Sequence, residues 1–441
     1  MSNPGPESCD VAVVGGGPAG SLAATFLARA GHRVVLLERQ AHPRPNVGES
    51  LIPDFWKYCD AAGVTPMIEA EGFVRKAGGT VRWRGGARRM SFGDFGYDRP
   101  ALHVERDRFD KILLDHARSQ GVEVRERTSA DRFEAQGADG WAAVSWSSEA
   151  GERGRLACRH VVDASGQRIL IARQLGLCTV DPAFRFVAVW GYFTGSQYVG
   201  ADGELHAAAE IEQAPPTTFV EQLPLGGGWG WSWHIQMRRS ASVGLLAPVE
   251  AYRQARRRGG RIEDWFAAAC ASQPVLGRLL ADATLIPGSV SVMKDYSYRV
   301  SPLAGPGWFL VGDAAGFIDP IFSVGIVLAM HSARTAAWAI DRSLRNPAGA
   351  ARYRELFDTQ LQARLELSRR LAAPQYGAPE TDGDVEEHAR LLRLFGVRSQ
   401  ALMSAATELT GRASNLEAIV RDEAVREFSL ARLQEVGGLE D

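Results

Sequence analysis

One lysine stands out in a chain that otherwise takes its positive charge from arginine. Lys76 lies in the stretch GFVRKAGGTVRW, and the lysines of the chain are Lys57, Lys76, Lys111 and Lys294 among 50 lysines and arginines. Arginine keeps its proton at physiological pH, whereas a lysine amine can lose its proton and act as a nucleophile or as a compact hydrogen-bond donor. Lys76 is therefore a candidate for chemistry at nitrogen, and the alternative is a solvated lysine on a strand.

A row of tryptophans is the second feature with chemical potential. In GWGWSWHIQM, residues 228–237, Trp229, Trp231 and Trp233 recur at every second position. Side chains with this period point to the same face of a β-strand, so the three indoles are expected side by side. Two interpretations stay open: a stripe that packs against another element of the core, or a wall of bulky rings along a passage.

The first forty residues carry a glycine pattern at the junction of a strand and a helix. A short strand from Asp10 to Val14 precedes glycines in G-x-G-x-x-G spacing, and an Ala- and Leu-rich helix follows. The missing side chains allow a tight turn, close approach of a pyrophosphate to the helix N-terminus, and close packing of helix on strand. A carboxylate at the end of the second strand can bind ribose hydroxyls. The pattern predicts dinucleotide binding through Gly15, Gly17, Pro18, Ala19, Gly20, Glu38 and Arg39.

A second glycine-rich turn favours an extended cofactor such as FAD over NAD. In GWFLVGDAAGFIDPIFSVGI, residues 307–326, a strand ends at Gly312 and Asp313, and a turn leads into an apolar helix. An aspartate at this place can hold a polyol hydroxyl of the cofactor. Backbone N–H groups at the next helix start, Gly325 and Ile326, can face its phosphates or ring. The alternative for Asp313 is a plain helix cap.

Composition narrows the classes of function. The 441 residues carry a formal net charge of -2 with both signs interspersed, so neither a nucleic-acid surface nor a polybasic membrane face is indicated. The chain shows no signal peptide and no apolar run of membrane-spanning length, so we expect a cytoplasmic protein. Cys9, Cys59, Cys158, Cys178 and Cys270 lack CxxC spacing, and neither disulfides nor a metal site are predicted. We expect chemistry on a small molecule.

Three segments together resemble the glutathione-reductase-type FAD proteins of the p-hydroxybenzoate hydroxylase class. They are the N-terminal glycine pattern, HVERDRFDKILLDHARSQGVEV and the late Gly-Asp motif. The resemblance implies that Arg106 reaches the phosphates or ribose of FAD. It also implies that VVDASG, residues 161–166 with Asp163, passes beside the adenine half. The alternative for Arg106 is a helix-end salt bridge with Asp110.

Further stretches are similar to the flavin-dependent halogenases, in particular the branch acting on phenols, pyrroles and carrier-bound aromatics. GESLIP follows the first βαβ unit, Lys76 has a G-F-x-x-K-x-G context, GWGWSWHIQM matches most of W-x-W-x-I-P, and FIDPIFSVG completes the set. Two positions depart from the family pattern. Gln236 replaces the proline, and Val324 replaces the Ser or Thr that is common there.

The resemblance implies an FADH2-dependent halogenase of secondary metabolism. Reduced FAD and O2 would give a flavin C4a-hydroperoxide, which chloride or bromide attacks to form hypohalous acid. Lys76 would hydrogen-bond this acid or become a haloamine, and so deliver the halogen to an electron-rich aromatic ring. Trp231 and Trp233 would hold the ring apart from the flavin.

The remaining contacts implied by the resemblance lie in two short segments. Glu49 and Ser50 would abut the flavin, with a helix cap as the alternative. The backbone N–H groups of Ser323, Val324 and Gly325 would bind the halide, with a plain helix start as the alternative.

Three further polar residues keep open assignments. Asp295 either touches the edge of the isoalloxazine or lies on the surface. His103 and His234 are lone histidines without a ligand pattern, which is typical of core or surface residues rather than bases.

Partners and rival functions follow from what the chain lacks. No second Rossmann motif for NAD(P)H is visible, so a separate flavin reductase is expected to supply FADH2. The substrate is a small aromatic, free or bound to an acyl or peptidyl carrier protein. The alternatives are an FAD-dependent aromatic hydroxylase or epoxidase, and a non-catalytic flavin-binding or carrier-docking protein.

The expected fold class is α/β, with a glutathione-reductase-type FAD-binding Rossmann domain. A discontinuous FAD domain is predicted from residues 8–60, 101–180 and 285–345. Residues 61–100 and 181–284 are predicted to form an antiparallel-sheet substrate domain because hydrophobic and polar residues alternate there. The region 346–441 is predicted to be helical.

Overall fold

A computed structural model describes most of the chain. The described residues are 7–83, 86–92, 97–180, 185–225, 228–257 and 259–376. The helices predicted between 384 and 436 lie outside them.

Strands contribute nearly the same number of residues to the described part of the chain as helices do. In chain order they are β1 (Glu7–Val14), β2 (Val34–Leu37), β3 (Val74–Lys76), β4 (Gly78–Trp83), β5 (Gly86–Ser91), β6 (Ala101–His103), β7 (Glu123–Arg125), β8 (Thr128–Glu134), β9 (Ala142–Ser148), β10 (Arg153–Asp163), β11 (Cys178–Val180), β12 (Phe186–Thr194), β13 (Gln197–Val199), β14 (Leu205–Ala207), β15 (Thr217–Leu225), β16 (Gly228–Gln236), β17 (Ala241–Pro248), β18 (Thr284–Leu285), β19 (Ser291–Lys294), β20 (Tyr298–Val300), β21 (Ala304–Gly305), β22 (Trp308–Leu310) and β23 (Gly316–Phe317).

Helices connect and cover the strands. They are α1 (Pro18–Arg29), α2 (Trp56–Ala62), α3 (Thr65–Glu71), α4 (Arg106–Ser119), α5 (Leu170–Gln174), α6 (Val249–Arg257), α7 (Ile262–Ala271), α8 (Leu276–Leu279), α9 (Gly325–Arg345) and α10 (Ala350–Tyr376). The sequence prediction of an α/β fold with a helical C-terminal region is confirmed, as far as the chain is described.

A parallel sheet forms the nucleotide-type half of the molecule. Its order is β21-β22-β10-β1-β2-β7, with β22, β10, β1, β2 and β7 parallel. The register aligns Val14 with Leu37 and with Asp163, and Asp163 with Leu310. The residues that follow these strands therefore meet at one edge, which is where ligands bind in α/β sheets.

An antiparallel sheet forms the second half. Its order is β18-β12-β17-β16-β15-β4-β5, with β19 also paired to β12. Only the β15–β4 pair in this path is parallel, so the predicted antiparallel character holds with one exception. Because β19 pairs with β12, the sheet extends to Lys294, beyond the boundary predicted near residue 285.

Three short contacts hold the segment with Lys76 in place beside the antiparallel sheet. β3 pairs with β6, opposing Lys76 to Ala101, and Ser50 makes an isolated bridge to His103. β4 follows directly and aligns Gly79 with Thr218 of β15. Ser50, Lys76, His103 and Thr218 thus converge from four segments that are distant in sequence.

Two negative findings complete the fold. Among the described residues, no helix is both long and apolar enough to cross a membrane. In the same part of the chain, no group of three or more His, Cys, Asp and Glu residues is arranged to hold a metal ion. The cysteines are free thiols.

Candidate active site

A cavity of about 450 Å³ joins the edge of the parallel sheet to one face of the antiparallel sheet. Its size is in the range of cofactor and ligand pockets in proteins. Most of the residues predicted to contact the cofactor line it, namely Gly15, Gly17, Pro18, Ala19, Glu38, Arg39, Glu49, Ser50, Arg106, Gly312, Asp313, Gly325 and Ile326.

The glycine turn forms the nucleotide end of this cavity. Gly15 has a φ of +105°, and a Cβ atom there would lie 2.4 Å from the Ala164 carbonyl oxygen. A Cβ atom on Gly20 would lie 1.9 Å from the Gly15 carbonyl oxygen, so Gly20 serves the packing of α1 and does not line the cavity. Helix α1 starts at Pro18 and directs its N-terminus at the cavity, where an anion is stabilised by the free N–H groups and the helix dipole.

Glu38 follows β2 directly and is almost fully buried at the cavity wall. Its carboxylate accepts hydrogen bonds from the backbone N–H of Gly16 (2.7 Å) and of Gln40 (2.9 Å). A carboxylate oxygen has two lone pairs, so each oxygen keeps acceptor capacity for ribose hydroxyls. Arg44 approaches the same group, with its Nε atom 3.7 Å from Glu38 Oε1.

Arg106 combines the two roles that the sequence left open. Its guanidinium binds Asp110 through two hydrogen bonds of 2.8 and 3.0 Å, and Nη1 donates to the Val47 carbonyl oxygen at 2.6 Å. The side chain also lines the cavity. Burial alone would lower the pKa of Arg106, but the effect of the Asp110 carboxylate is larger, and the pKa is raised. A fixed positive charge therefore faces the cavity.

Two aspartates predicted for the cofactor behave differently. The Asp163 carboxylate turns into the protein, where it accepts the backbone N–H groups of Ser165 (3.0 Å) and Ile171 (2.7 Å) and lines no part of the cavity. It holds the loop whose next residues, 164–168, form the wall. Asp313 faces the cavity, and enclosure by the protein raises its pKa to about 6, partly offset by Arg106.

These residues fit a dinucleotide such as FAD. The cradle at Gly15 tolerates no side chain, and the helix N-terminus beside it is suited to a pyrophosphate. The buried Arg44 Nε atom, which donates no hydrogen bond within the described part of the chain, adds an unsatisfied cationic donor at the same end. Glu38 and Asp313 would hold polyol hydroxyls at two points along the cavity.

The antiparallel sheet supplies the other end. Trp231, Trp233 and Ile235 of β16 line the cavity, and the two indole centroids are 5.8 Å apart. Gly244 on the neighbouring strand makes room for one of them, because a Cβ atom there would lie 2.1 Å from the ring of Trp233. The tryptophan row is therefore both a packed stripe and a cavity wall. The side chain of Trp229 lies outside the described part.

Lys76 is buried, with 4% of its surface exposed. Its Nζ atom donates to Ser50 Oγ at 2.8 Å and to the Leu51 carbonyl oxygen at 3.2 Å. No ion pair to Lys76 is found among the described residues, and burial lowers its pKa to about 7. Lys76 does not itself line the cavity, and Ser50, which does, stands between the amine and the open space.

The segment predicted to bind halide reaches the same point. Ser323 lines the cavity, has a φ of +56° and donates from its hydroxyl to Ser50 Oγ at 3.1 Å. Val324 precedes α9 and lines a separate space of about 30 Å³ behind the turn rather than the main cavity. Gly325 lines both spaces.

The remaining sequence candidates lie in the protein framework. Asp295 forms an ion pair with Arg185 and does not line the cavity. His234 is buried beside Ser196. Gln236 is the last residue of β16 and pairs with Ala241, so the strand continues through the position where the halogenases have proline.

Sequence reasoning missed several wall residues. Thr218, Arg44 and Tyr296 line the cavity, and the buried Tyr296 hydroxyl finds no partner in the described part of the chain. None carries a local motif. Two features gave a weak indication of these wall residues: the alternation of polar and apolar residues in β15, which contains Thr218, and the position of Tyr296 shortly before the late Gly-Asp motif.

Comparisons with known proteins identify the family of this chain. A family model described as an FAD binding domain matches residues 8–373. Tryptophan 2-halogenase of Chondromyces crocatus is 38% identical over 339 residues, covering 76% of this chain and 61% of that protein. Flavin-dependent halogenase armH3 of Armillaria mellea is 35% identical over 357 residues, covering 77% and 68%.

The chain belongs to the flavin-dependent halogenases. It spans less than two thirds of tryptophan 2-halogenase and slightly more than two thirds of armH3. Among solved structures, the myxobacterial chondrochloren halogenase CndH, described as a variant of FAD-dependent halogenases, superposes with a TM-score of 0.76 at 28% identity. That alignment covers 92% of this chain and 97% of CndH.

Proposed function

We propose that the protein halogenates an electron-rich aromatic substrate, with FADH2, O2 and chloride or bromide as co-substrates, and that Lys76 carries the electrophilic halogen. One observation supports this above the others. A buried amine without an ion-pair partner in the described residues lies one hydroxyl group away from a cavity that reaches the nucleotide edge.

When bound, reduced FAD supplies, together with O2, the oxidising power that converts a halide into hypohalous acid. The chain contributes the environment for that chemistry. The wall formed by Trp231 and Trp233 would restrict access between the cofactor end and the substrate. The N–H groups around Ser323 and Gly325 would hold the halide at the junction.

Lys76 would act as a neutral amine. With a pKa near 7, a large fraction is unprotonated at physiological pH, unlike a solvated lysine. The nitrogen lone pair attacks the halogen of hypohalous acid, the halogen–oxygen bond breaks, and water leaves once the departing oxygen takes up a proton from nitrogen. The haloamine then passes the halogen to a ring carbon, the ring loses a proton, and the amine is regenerated. An arginine cannot perform this step because it does not deprotonate.

The partners are those that the chemistry requires. A separate flavin reductase would supply the reduced cofactor, because the sequence shows one glycine fingerprint only. The substrate class is a small phenol, pyrrole or indole-like ring, whose electron density suits attack on electrophilic halogen.

The test is an incubation of the protein with a flavin reductase, NADH, O2 and bromide, with monochlorodimedone or a phenol as trap. We expect halogenated product from the unchanged protein and at least a hundredfold less from Lys76→Ala, about the lower range for loss of a catalytic side chain. Oxidation of reduced flavin should continue in the variant.

A matched lysine serves as the control. Lys111 pairs with Asp115 on the surface of α4, so Lys111→Ala should halogenate at the unchanged rate. Product formation by Lys76→Ala at that same rate would remove Lys76 from the reaction. An oxygenated product formed without halide would replace the halogenase by an aromatic hydroxylase.

A further inference from the structure

A chain of hydrogen bonds leads from the cavity past Lys76 into the core. Ser50 Oγ lies at its centre, 2.8 Å from Lys76 Nζ, 2.8 Å from Thr218 Oγ1 and 3.1 Å from Ser323 Oγ. Thr218 Oγ1 lies 2.9 Å from His103 Nε2, and the other ring nitrogen of His103 lies 2.9 Å from the Gln236 carbonyl oxygen. Sequence motifs identified none of these links.

The direction of each hydrogen bond follows from the far end of this chain. A carbonyl oxygen only accepts, so His103 Nδ1 carries a hydrogen and donates to Gln236. His103 is fully buried, and burial holds its pKa well below the ordinary value, so the ring is neutral. Its Nε2 atom is then an acceptor, and the Thr218 hydroxyl must donate to it.

The same reasoning fixes the role of Ser50. Thr218 has used its one hydrogen on His103, so its oxygen accepts the hydrogen of Ser50. The Ser50 oxygen is left with lone pairs only, and these accept from Lys76 and from Ser323. Ser50 therefore offers Lys76 an acceptor and no donor.

This arrangement leaves the lone pair of neutral Lys76 free. A neutral amine has two N–H groups, and Ser50 Oγ and the Leu51 carbonyl oxygen accept both. The Phe92 ring, whose centroid is 5.2 Å from Nζ, supplies no proton. The described residues place no carboxylate in contact with the amine. The other titratable group in this hydrogen-bonded chain is His103, whose ring is neutral.

We propose that Thr218 and His103 are positioning residues for Lys76: by fixing Ser50 as an acceptor, they keep the amine lone pair uncommitted for the electrophilic halogen. This inference rests on the role proposed for Lys76. It assigns a function to Thr218, which lines the cavity, and to His103, which does not.

Removal of the Thr218 hydroxyl is expected to turn Ser50 from an acceptor toward Lys76 into a donor toward it. In Thr218→Val the Ser50 hydrogen loses its acceptor, and the nearest alternative is the Lys76 nitrogen. Donation to that nitrogen stabilises the neutral amine, so the pKa of Lys76 falls, while the lone pair becomes engaged and less reactive.

The small number of lysines makes this directly measurable. With lysine labelled by 13C at Cε, the FAD-loaded protein gives signals from Lys57, Lys76, Lys111 and Lys294 only, and Lys76→Ala identifies the one of interest. In Thr218→Val we expect its titration midpoint to fall by on the order of one pH unit and halogenation to fall about tenfold, since one hydrogen bond is worth about that factor. Thr218→Ser should restore both, and Thr218→Ala repeats the deletion if the valine variant folds poorly.

Thr217 provides the matched control. It is the adjacent buried threonine of β15, and its hydroxyl lies 2.8 Å from Thr80 Oγ1 and donates to the Val199 carbonyl oxygen at 3.0 Å, away from Ser50. Thr217→Val should leave the Lys76 midpoint in place. Equal midpoints and rates in the two valine variants, or a midpoint that rises in Thr218→Val, would overturn the positioning role.

The two proposals fail in different ways. Loss of halogenation in Lys76→Ala with no change in Thr218→Val overturns the positioning role and leaves the proposed function standing. Full halogenation by Lys76→Ala overturns the proposed function, and with it the purpose assigned to Thr218, whatever the midpoint does.

Discussion

At the scale of single residues, the reactivity proposed for Lys76 depends on the lack of water and of a carboxylate around its amine among the described residues. Lys57 and Lys111 lie near the surface and form ion pairs with Asp54 and Asp115. Lys76 is buried from water, and it contacts no carboxylate among the described residues. Desolvation then dominates, and the amine gives up its proton near neutral pH.

The pH dependence of halogenation tests this state of Lys76. The pKa of the side chain is lowered from 10.5 to about 7, so the neutral fraction is small at pH 6 and dominant at pH 8. Halogenated product per reduced flavin consumed should therefore rise over this interval, with a midpoint near 7. The reaction of the trap with added hypobromite at each pH corrects for titration of the trap itself. A yield that falls over the same interval would indicate that the ammonium form is the active one.

The sequence indicated which residue types could act in the site, but it did not predict which residues contact them. Lys76 was conspicuous because arginine would have supplied charge equally well. Its link to the cavity runs through Ser50, however, and the hydrogen bonds of Ser50 depend on Thr218 and His103. A threonine in an alternating strand has no signature that distinguishes it from any other. Asp163 shows the reverse case, because its motif suggested a ligand contact while its carboxylate holds a loop.

At the scale of elements, the tryptophan wall depends on a gap in the neighbouring strand. Trp233 of β16 lies opposite Gly244 of β17, and the ring occupies the space where a side chain would stand. The indole N–H also donates to Ser242 Oγ at 3.3 Å, which fixes the ring from the same strand. Two adjacent strands thus determine the shape of the cavity at this end.

Gly244→Ala is expected to displace this ring. The added Cβ atom would lie 2.1 Å from Trp233, so the protein should lose about 1–3 kcal/mol of stability and halogenate more slowly. Chemical denaturation and the trap assay measure the two effects. Gly79→Ala in β4 is the control. The nearest atom to its Cβ would be the flexible end of Met90 at 3.3 Å, and the Thr218 carbonyl oxygen at 3.9 Å would be in ordinary van der Waals contact, so this change should be nearly neutral. Equal stability of the two variants would show that the sheet adapts to the added methyl group.

Elements with local signals were predictable, and those formed by distant pairing were not. The unit β1–α1–β2 follows from a glycine turn between apolar runs, all within 40 residues. The parallel pairing of β15 with β4 and the addition of β19 to β12 join segments more than 100 residues apart. Alternation of polar and apolar residues predicts strands there but not their neighbours.

At the scale of the whole molecule, the cavity exists because the parallel and antiparallel sheets face each other. The nucleotide edge comes from strand ends of one sheet and the tryptophan wall from a face of the other, so neither half contains the site. The fold class was predictable from the resemblance and the glycine motifs. The distance between the two halves, which decides whether Lys76 communicates with the cofactor end, was not.

The single dinucleotide fingerprint leads to a prediction for the intact protein. With FAD and NADH or NADPH but no reductase, we expect no steady oxidation of the nicotinamide above the background, because the chain offers that cofactor no fingerprint of its own. Absorbance at 340 nm measures the rate, and addition of a flavin reductase should start halogenation. Rapid consumption by the protein alone would instead match a self-sufficient hydroxylase.

Ser323 illustrates how such a site is held together. Its φ of +56° belongs to a backbone region that suits glycine, and any other residue there costs on the order of 1 kcal/mol. The backbone of the turn before α9 is therefore strained at Ser323. The Ser323 hydroxyl donates to Ser50 Oγ, which also accepts from Lys76. A displacement at the start of α9 would therefore be transmitted through Ser50 to the Lys76 amine.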